Sequence, residues 1–288
     1  MYLSLPHQYD QIMKPQALLI INFAFVSQQR YFIELAYNGT SYHGWQIQQN
    51  AVSVQELLNK ALSTILRQPI ETTGCGRTDT GVHAKEFFAH FDAQFAEGET
   101  NALESTPFRG RGGLNALLPY DIAIKNVIPV HADAHARFDA TARSYQYHIH
   151  FNKDAFLHGF SWQLRDEPNL ELMNQAAVMM MEYIDFSCFS KSNTQVKTNN
   201  CKITRAEWVK TEQGIVFHIT ADRFLRNMVR AIVGTLMMVG RGEMPPEGIR
   251  EIIESKNRSN AGTSVPACGL YLTEVKYPYQ LTPRPLTP

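Results

Sequence analysis

The sequence predicts an α+β fold built from two ferredoxin-like (RRM-like) units. Three observations predict it. Stretches with apolar side chains at every second residue alternate with stretches whose apolar residues recur at helical spacing. The order strand–helix–strand–strand–helix–strand runs through the first half of the chain and again through the second. At 288 residues, with 44% hydrophobic and 11% aromatic content, the chain can bury the core of one large domain or two ordinary ones.

In "YFIELAYNGT", Tyr31, Ile33, Leu35 and Tyr37 share one side, the period-2 mark of a strand, and Asn38-Gly39 closes it in a turn. "SVQELLNKALSTIL" places Val54, Leu57, Leu58, Ala61, Leu62 and Ile65 on one helical face, and Ser53 with Glu56 forms a capping box at its start. Two strands follow, one into Gly74 and one through "EFFAHFDA", where Phe87, Ala89 and Phe91 alternate with Phe88, His90 and Asp92. A short helix near "GLNALL" and a strand near "DIAIKNVIPV" end the first unit. In the second unit Tyr145, Tyr147, Ile149 and Phe151 alternate as a strand, and Leu170–Met181 has helical spacing. Ile203–Lys210 and Ile215–Thr220 predict a hairpin around Glu212-Gln213-Gly214. A long apolar helix from about Phe224 to Val239 and a strand in "GLYLTEVKY" complete it. The link falls near Pro129–Ala134, so the expected domains are residues 31–131 and 132–277. Residues 1–30 are expected to be an N-terminal extension that is poorly ordered or non-native, read from an upstream start codon, and residues 278–288 a loose tail.

Composition removes several function classes. Lys+Arg and Asp+Glu number 27 each, so a whole-protein basic footprint is excluded and only a local basic groove remains open. Cys75, Cys188, Cys201 and Cys268 lie far apart with no C-x-x-C, the pattern of a reduced, cytoplasmic chain rather than a disulfide frame or zinc site. "ALLIINFAFV" is shorter than the roughly 20 residues a membrane helix needs. With Lys14 as its one positive charge and no clear small-residue cleavage site, it also makes a poor signal peptide. His131 and His135 are four apart in the link, and His148 and His150 two apart on a strand, without a carboxylate or thiolate to complete a ligand set. No metal site is expected.

The stretch "GRTDTGVHA" holds one acidic residue, Asp79, in a loop of small residues. Asp79-Thr80-Gly81 spells the D-T-G of aspartic proteases, but the chain has one copy where a pepsin-like chain needs two, and a retroviral-type subunit is far shorter. A dyad also depends on two carboxylates sharing a proton, an arrangement that Arg77, two residues away, does not suit. The plain alternative is a turn, which Gly, Asp and Thr all favour. In "RFLRNMVRAIVGTLMMVG", apolar residues cover most of the helix circumference and Arg230 sits among them. A guanidinium keeps its proton and is rarely buried without an anion, so Arg230 calls for a carboxylate from elsewhere unless it snorkels to water. Arg223 and Arg226, near the helix start, are placed to face solvent or phosphate. In "HARFDATARSYQYHI", Arg137 and Arg143 flank a polar turn that enters an aromatic strand. A ring beside basic residues can stack on a base while the charges meet phosphates, although Tyr is also simply a good strand residue.

Taken in order, "GRTDTGVHA", "LNALLPYDIAI", "HARFDATARSYQY" and "FLRNMVRAIVGTL" resemble the bacterial tRNA pseudouridine synthase A family. "AYNGTSYHGWQIQQN", "SVQELLNKAL" and "GLYL" fit it as well, so the resemblance runs from about Tyr31 to Tyr277. It implies that the two units share one mixed, mainly antiparallel sheet with helices on one side and a central active-site cleft. It also implies a homodimer that isomerises uridine to pseudouridine at positions 38–40 of the tRNA anticodon stem-loop. Such an isomerisation oxidises nothing and transfers no group to another molecule, so no cofactor is expected, and the cysteine pattern places the chain in the cytoplasm. Carried onto this sequence, Asp79 is the catalytic residue and Arg230 its partner, while Arg77 extrudes the target nucleotide. Tyr145 stacks on the uracil and assists proton transfer. Apart from the resemblance, Arg137, Arg143 and Arg226 are expected to bind the RNA as basic residues near the aromatic strand and the helix start. With zero net charge, tRNA binding requires segregation, with Arg109, Arg111, Arg137, Arg143, Arg223 and Arg226 gathered at the cleft and its rim. Cys75 stands where alanine is common in the family, and is expected to make the Asp79 loop sensitive to oxidation. The second reading is a non-catalytic RNA-binding module of the same fold, for which Asp79 and Arg230 would be dispensable.

Overall fold

The computed structural model describes residues 26–96, 112–190 and 198–282. The first unit comprises β1 (Val26–Tyr37), α1 (Val54–Leu66), β2 (Thr73–Gly74), β3 (His83–Ala96), α2 (Gly112–Leu117) and β4 (Ile122–Val130). The second comprises β5 (Ala142–His150), a short β6 (Trp162–Gln163), α3 (Leu170–Met180), β7 (Ile203–Thr211), β8 (Gly214–Ala221), α4 (Met228–Gly240), α5 (Gly248–Ser255) and β9 (Leu270–Lys276). Strands pair in the order β4-β1-β3-β2 in the first unit and β9-β5-β8-β7 in the second. With the short β6 left out and strands numbered within each unit, both orders read 4-1-3-2, the same split βαβ arrangement twice.

The two halves form one nine-stranded sheet. The join is a parallel contact of two residue pairs, His83↔Tyr271 and Ala84↔Leu272. Every other pairing is antiparallel except β5 with the short β6. Alternation decides the core. Phe87, Ala89, Phe91 and Ala93 pack with Val54, Leu58 and Leu62 of α1. In the second unit Tyr147, Ile149, Phe217 and Ile219 pack with Met173 and Ala177 of α3 and Ile232, Val233 and Leu236 of α4. At the start of α1, Ser53 Oγ accepts the Glu56 N–H at 3.3 Å, as the capping residues imply.

Four elements differ from the sequence reading. β1 starts at Val26, earlier than the alternation at Tyr31 suggests, and β3 runs from His83 to Ala96 in register with it. The α4 helix begins at Met228 rather than near Phe224, because Asn227 takes a left-handed conformation, φ 65°, that interrupts a right-handed helix. Helix α5 is additional; Ile249, Ile252 and Ile253 form its buried face. Phe32, on the face of β1 away from α1, is nonetheless fully buried, since Tyr277 and Tyr279 cover it with ring centroids 5.2 and 6.3 Å away. Residues 1–25 of the extension, residues 283–288 of the tail, Arg109 and Arg111 lie outside the described residues. Among the described residues no helix is long and apolar enough to cross a membrane.

Candidate active site

The loop between β2 and β3 is tied down along its length. The Cys75 N–H donates to Phe88 O at 2.7 Å, Trp45 N–H to Thr78 O at 3.4 Å, and Gly81 N–H to Tyr42 O at 3.3 Å. The hydroxyls of Tyr37 and Thr78 meet at 2.9 Å. Asp79 itself sits in a turn that the Val82 N–H closes on Asp79 O at 3.1 Å. That turn needs Gly81, whose φ of 78° disfavours side chains, and a Cβ there would lie 3.3 Å from Ala267 Cβ. Just beyond, His83 Nδ1 accepts the Gly39 N–H at 3.1 Å, so Nε2 carries the ring proton and donates toward Gly159 O and Cys268 O, at 3.1 and 3.2 Å. Burial lowers the His83 pKa and keeps the ring neutral, which suits that bonding.

The Asp79 carboxylate faces the second unit. Arg230 Nη1 lies 3.6 Å from Oδ2, and Arg226 Nε 3.8 Å from Oδ1. Among the described residues these guanidiniums are its hydrogen-bonding or ionic partners; no second carboxylate joins it. Arg230 projects from the first turn of α4 and is 20% exposed, whereas Arg226 precedes the helix and is 59% exposed. The Arg230 Nε–H donates to Val265 O at 2.7 Å, which aims the remaining nitrogens at the loop. A largely buried arginine does therefore meet a carboxylate from the other unit, as its place in an apolar helix required.

Tyr145 on β5 is half-buried, its ring edge-on to Phe224 with centroids 5.1 Å apart. Burial pushes its phenol well above the ordinary range; the neighbouring Cys75 and Asp79 act in the same direction and Arg143 against it. The hydroxyl is protonated at neutral pH. Arg77 and Arg137 are exposed. Partial burial and then the charges of Arg77, Arg143 and Arg223 lower the Arg137 pKa, so these guanidiniums share one positive field. Phe138, 75% exposed, lies under the Arg137 guanidinium at 5.8 Å. Arg143 differs from the others: its two terminal nitrogens are bonded to main-chain carbonyls. The oxidation expected at Cys75 is not supported. Its side chain is buried, and burial pushes the thiol up to about 12, so reactive thiolate is scarce. Among the described residues no three His, Cys, Asp or Glu side chains gather as a metal site.

A carboxylate between two guanidiniums, with a tyrosine and further arginines close by, suits chemistry on a base of a polyanion. Comparison with known proteins agrees. A family model described as tRNA pseudouridine synthase matches residues 180–278. The chain is 51% identical over 257 residues to the tRNA pseudouridine synthase A of Bacteroides fragilis, covering 89% of this chain and 99% of that one. It is 53% identical over 254 residues to that of Porphyromonas gingivalis, covering 88% and 98%. Against that of Clostridium acetobutylicum it is 38% identical over 247 residues, covering 85% and 98%. The chain belongs to the tRNA pseudouridine synthase A family.

For this member of the tRNA pseudouridine synthase A family, the structure adds supporting residues that sequence reasoning missed. Arg258 donates to Ala261 O and Gly262 O at 3.3 and 3.1 Å and to Ser264 Oγ at 3.1 Å. Asn227 Nδ2 also bonds Ser264 Oγ. These contacts shape the 261–265 loop whose Val265 carbonyl orients Arg230. Thr235 Oγ1 accepts the Gly262 N–H at 2.9 Å, and a Cβ at Gly234 would lie 1.9 Å from Thr263 O, so α4 and the loop touch backbone to backbone. An isolated glycine inside an apolar helix is the sequence signal for such an approach. The Val265 carbonyl, a main-chain group, has no sequence signal.

Proposed function

We propose that this chain isomerises uridine to pseudouridine in the tRNA anticodon stem-loop, at positions 38–40, with Asp79 as the catalytic carboxylate. Family membership supports the reaction and the substrate, and one observation carries the residue assignment. Asp79 is a single carboxylate, positioned by a loop of one unit, paired at 3.6 and 3.8 Å with Arg230 and Arg226 of the other. The reaction breaks N1–C1′, turns the base, forms C5–C1′ and releases the proton from C5, while N1 takes up a proton. Atoms and electrons balance within the nucleotide and water. An ionised carboxylate can act as nucleophile or stabilise positive charge at C1′.

The arginines divide the remaining tasks. The target must leave its stack, which costs a few kcal/mol. Exposed Arg77 takes the place of the extruded nucleotide, and Tyr145, held by Phe224, stacks on the uracil and supplies a neutral hydroxyl for proton transfer. Arg137 and Arg226, with Arg223, meet the phosphates. The reading includes a homodimer acting in the cytoplasm, supported by the family resemblance. Its test is tritium release from tRNA labelled at C5 of uridine, with EDTA present. Release is the expected result; bound tRNA without release would instead favour the non-catalytic RNA-binding reading.

A further inference from the structure

Arg143, at the start of β5, shares a positive field with Arg77, Arg137 and Arg223, yet its terminal nitrogens are bonded to main-chain carbonyls. Nη1 donates to Ala140 O at 3.0 Å and Asp222 O at 3.0 Å. Nη2 donates to Cys75 O at 2.9 Å and Arg137 O at 2.7 Å. Those two nitrogens carry four of the five N–H groups of a guanidinium, and each has an acceptor. The acceptors belong to three segments. Cys75 opens the Asp79 loop of the first unit; Arg137 and Ala140 lie on the segment joining the units; Asp222 follows β8 and precedes Arg223 and Arg226.

We propose that Arg143 is a positioning residue that fixes the Asp79 loop against the second unit, and that it governs turnover rather than tRNA affinity. The inference rests on the isomerase reading above and deepens it. The sheet join near the loop has only two registered residue pairs, so it defines the loop's height along the strands poorly. Other ties cross the same seam, from His83 Nε2 to Gly159 O and Cys268 O, from Lys85 Nζ to Gln146 Oε1 and from the Val275 N–H to Glu86 Oε1, but each lies on the β3 side of Asp79. On the β2 side, Arg143 holds Cys75 O to the second unit. A planar fork with fixed donor directions can bind four carbonyls at once, which a lysine ammonium with three donors cannot. Without that tie Cys75 keeps its N–H bond to Phe88 O, but the β2 end of the loop is no longer held to the second unit, which would let Asp79 drift relative to Arg230. A displacement of about 1 Å in a reacting group costs on the order of 100-fold in rate.

The test compares Arg143→Lys and Arg143→Gln with the wild-type chain. Single-turnover tritium release at saturating tRNA, tRNA affinity across a salt series, and amide exchange of residues 76–82 are measured on the same preparations. The expected result for Arg143→Lys is a rate lower by about 100-fold, affinity and salt slope unchanged, and faster exchange confined to the Asp79 loop. A direct phosphate ligand behaves differently: affinity falls, the slope of log K against log salt drops by about 0.7–0.9, and the saturated rate is kept. That outcome would overturn the proposal, as would unchanged turnover. Global loss of fold in the Lys variant would assign Arg143 to stability alone and overturn it as well. If wild-type protein releases no tritium, the isomerase reading fails separately, and exchange in the loop still decides whether Arg143 is its clamp.

Discussion

Two guanidiniums lie at nearly the same distance from Asp79, and their removal is predicted to have very different consequences. Arg230 is 3.6 Å from the carboxylate and 20% exposed; Arg226 is 3.8 Å away and 59% exposed. At an effective dielectric of about 20, a unit pair at such separations interacts by about 4–5 kcal/mol before desolvation and screening are counted. For Arg226, water and side-chain entropy reduce this to about 0–1 kcal/mol. Arg230 is additionally bonded to Val265 O at 2.7 Å, so truncation also orphans a carbonyl and leaves a partly buried carboxylate short of its inner partner. Arg230→Ala is therefore expected to destabilise the fold by about 3–5 kcal/mol, and Arg226→Ala by less than about 1 kcal/mol. Urea unfolding of both variants, with unchanged slope, measures the difference. Equal destabilisation by the two, or a larger effect at Arg226, would refute the argument that burial rather than distance ranks them.

Gly81→Ala places a Cβ in a left-handed turn and 3.3 Å from Ala267 Cβ; it should cost about 1–2 kcal/mol in urea unfolding and slow tritium release by moving the adjacent Asp79. Tyr145→Phe keeps the ring against Phe224 and loses the hydroxyl, so tRNA affinity should hold while single-turnover release falls by about 100-fold; an unchanged rate would remove the phenol from proton transfer. Burial, then the charges of His135 and Arg30, lower the His90 pKa to about 4 from 6.5. Because the folded value lies below the unfolded one, His90 contributes stability that is complete above pH 6.5 and declines as pH falls toward 4. Between pH 7 and pH 5 that loss amounts to about 2 kcal/mol, which urea unfolding at the two pH values detects and which His90→Gln should diminish.

Much of the fold was legible because the chain states its periods clearly. Tyr31 to Tyr37 and Tyr145 to Ile149 alternate without interruption, and α1 and α3 show a full apolar face, so both βαββαβ units could be read before their pairing was known. What sequence could not supply was local backbone conformation. Asn227 in a left-handed conformation ends the helical run that Phe224 and Leu225 suggest, and no apolar pattern marks it. The α5 helix was missed although Ile249, Ile252 and Ile253 carry the i, i+3, i+4 spacing; its eight residues provide too few repeats to stand out. In the site, Arg230's need for an anion was legible from burial chemistry alone. The inward turn of Arg143 was not, because its partners are four carbonyls, and main-chain acceptors look the same at every position of a sequence.

In the proposed reaction a single carboxylate, Asp79, does the chemistry. Asp79→Asn preserves size and removes the charge, and the assay is tritium release from tRNA labelled at C5 of uridine, paired with tRNA binding on the same preparation. No release above background is expected, with affinity within about three-fold of wild type, since the group acts on the transition state rather than on substrate binding. Turnover retained by Asp79→Asn would contradict it.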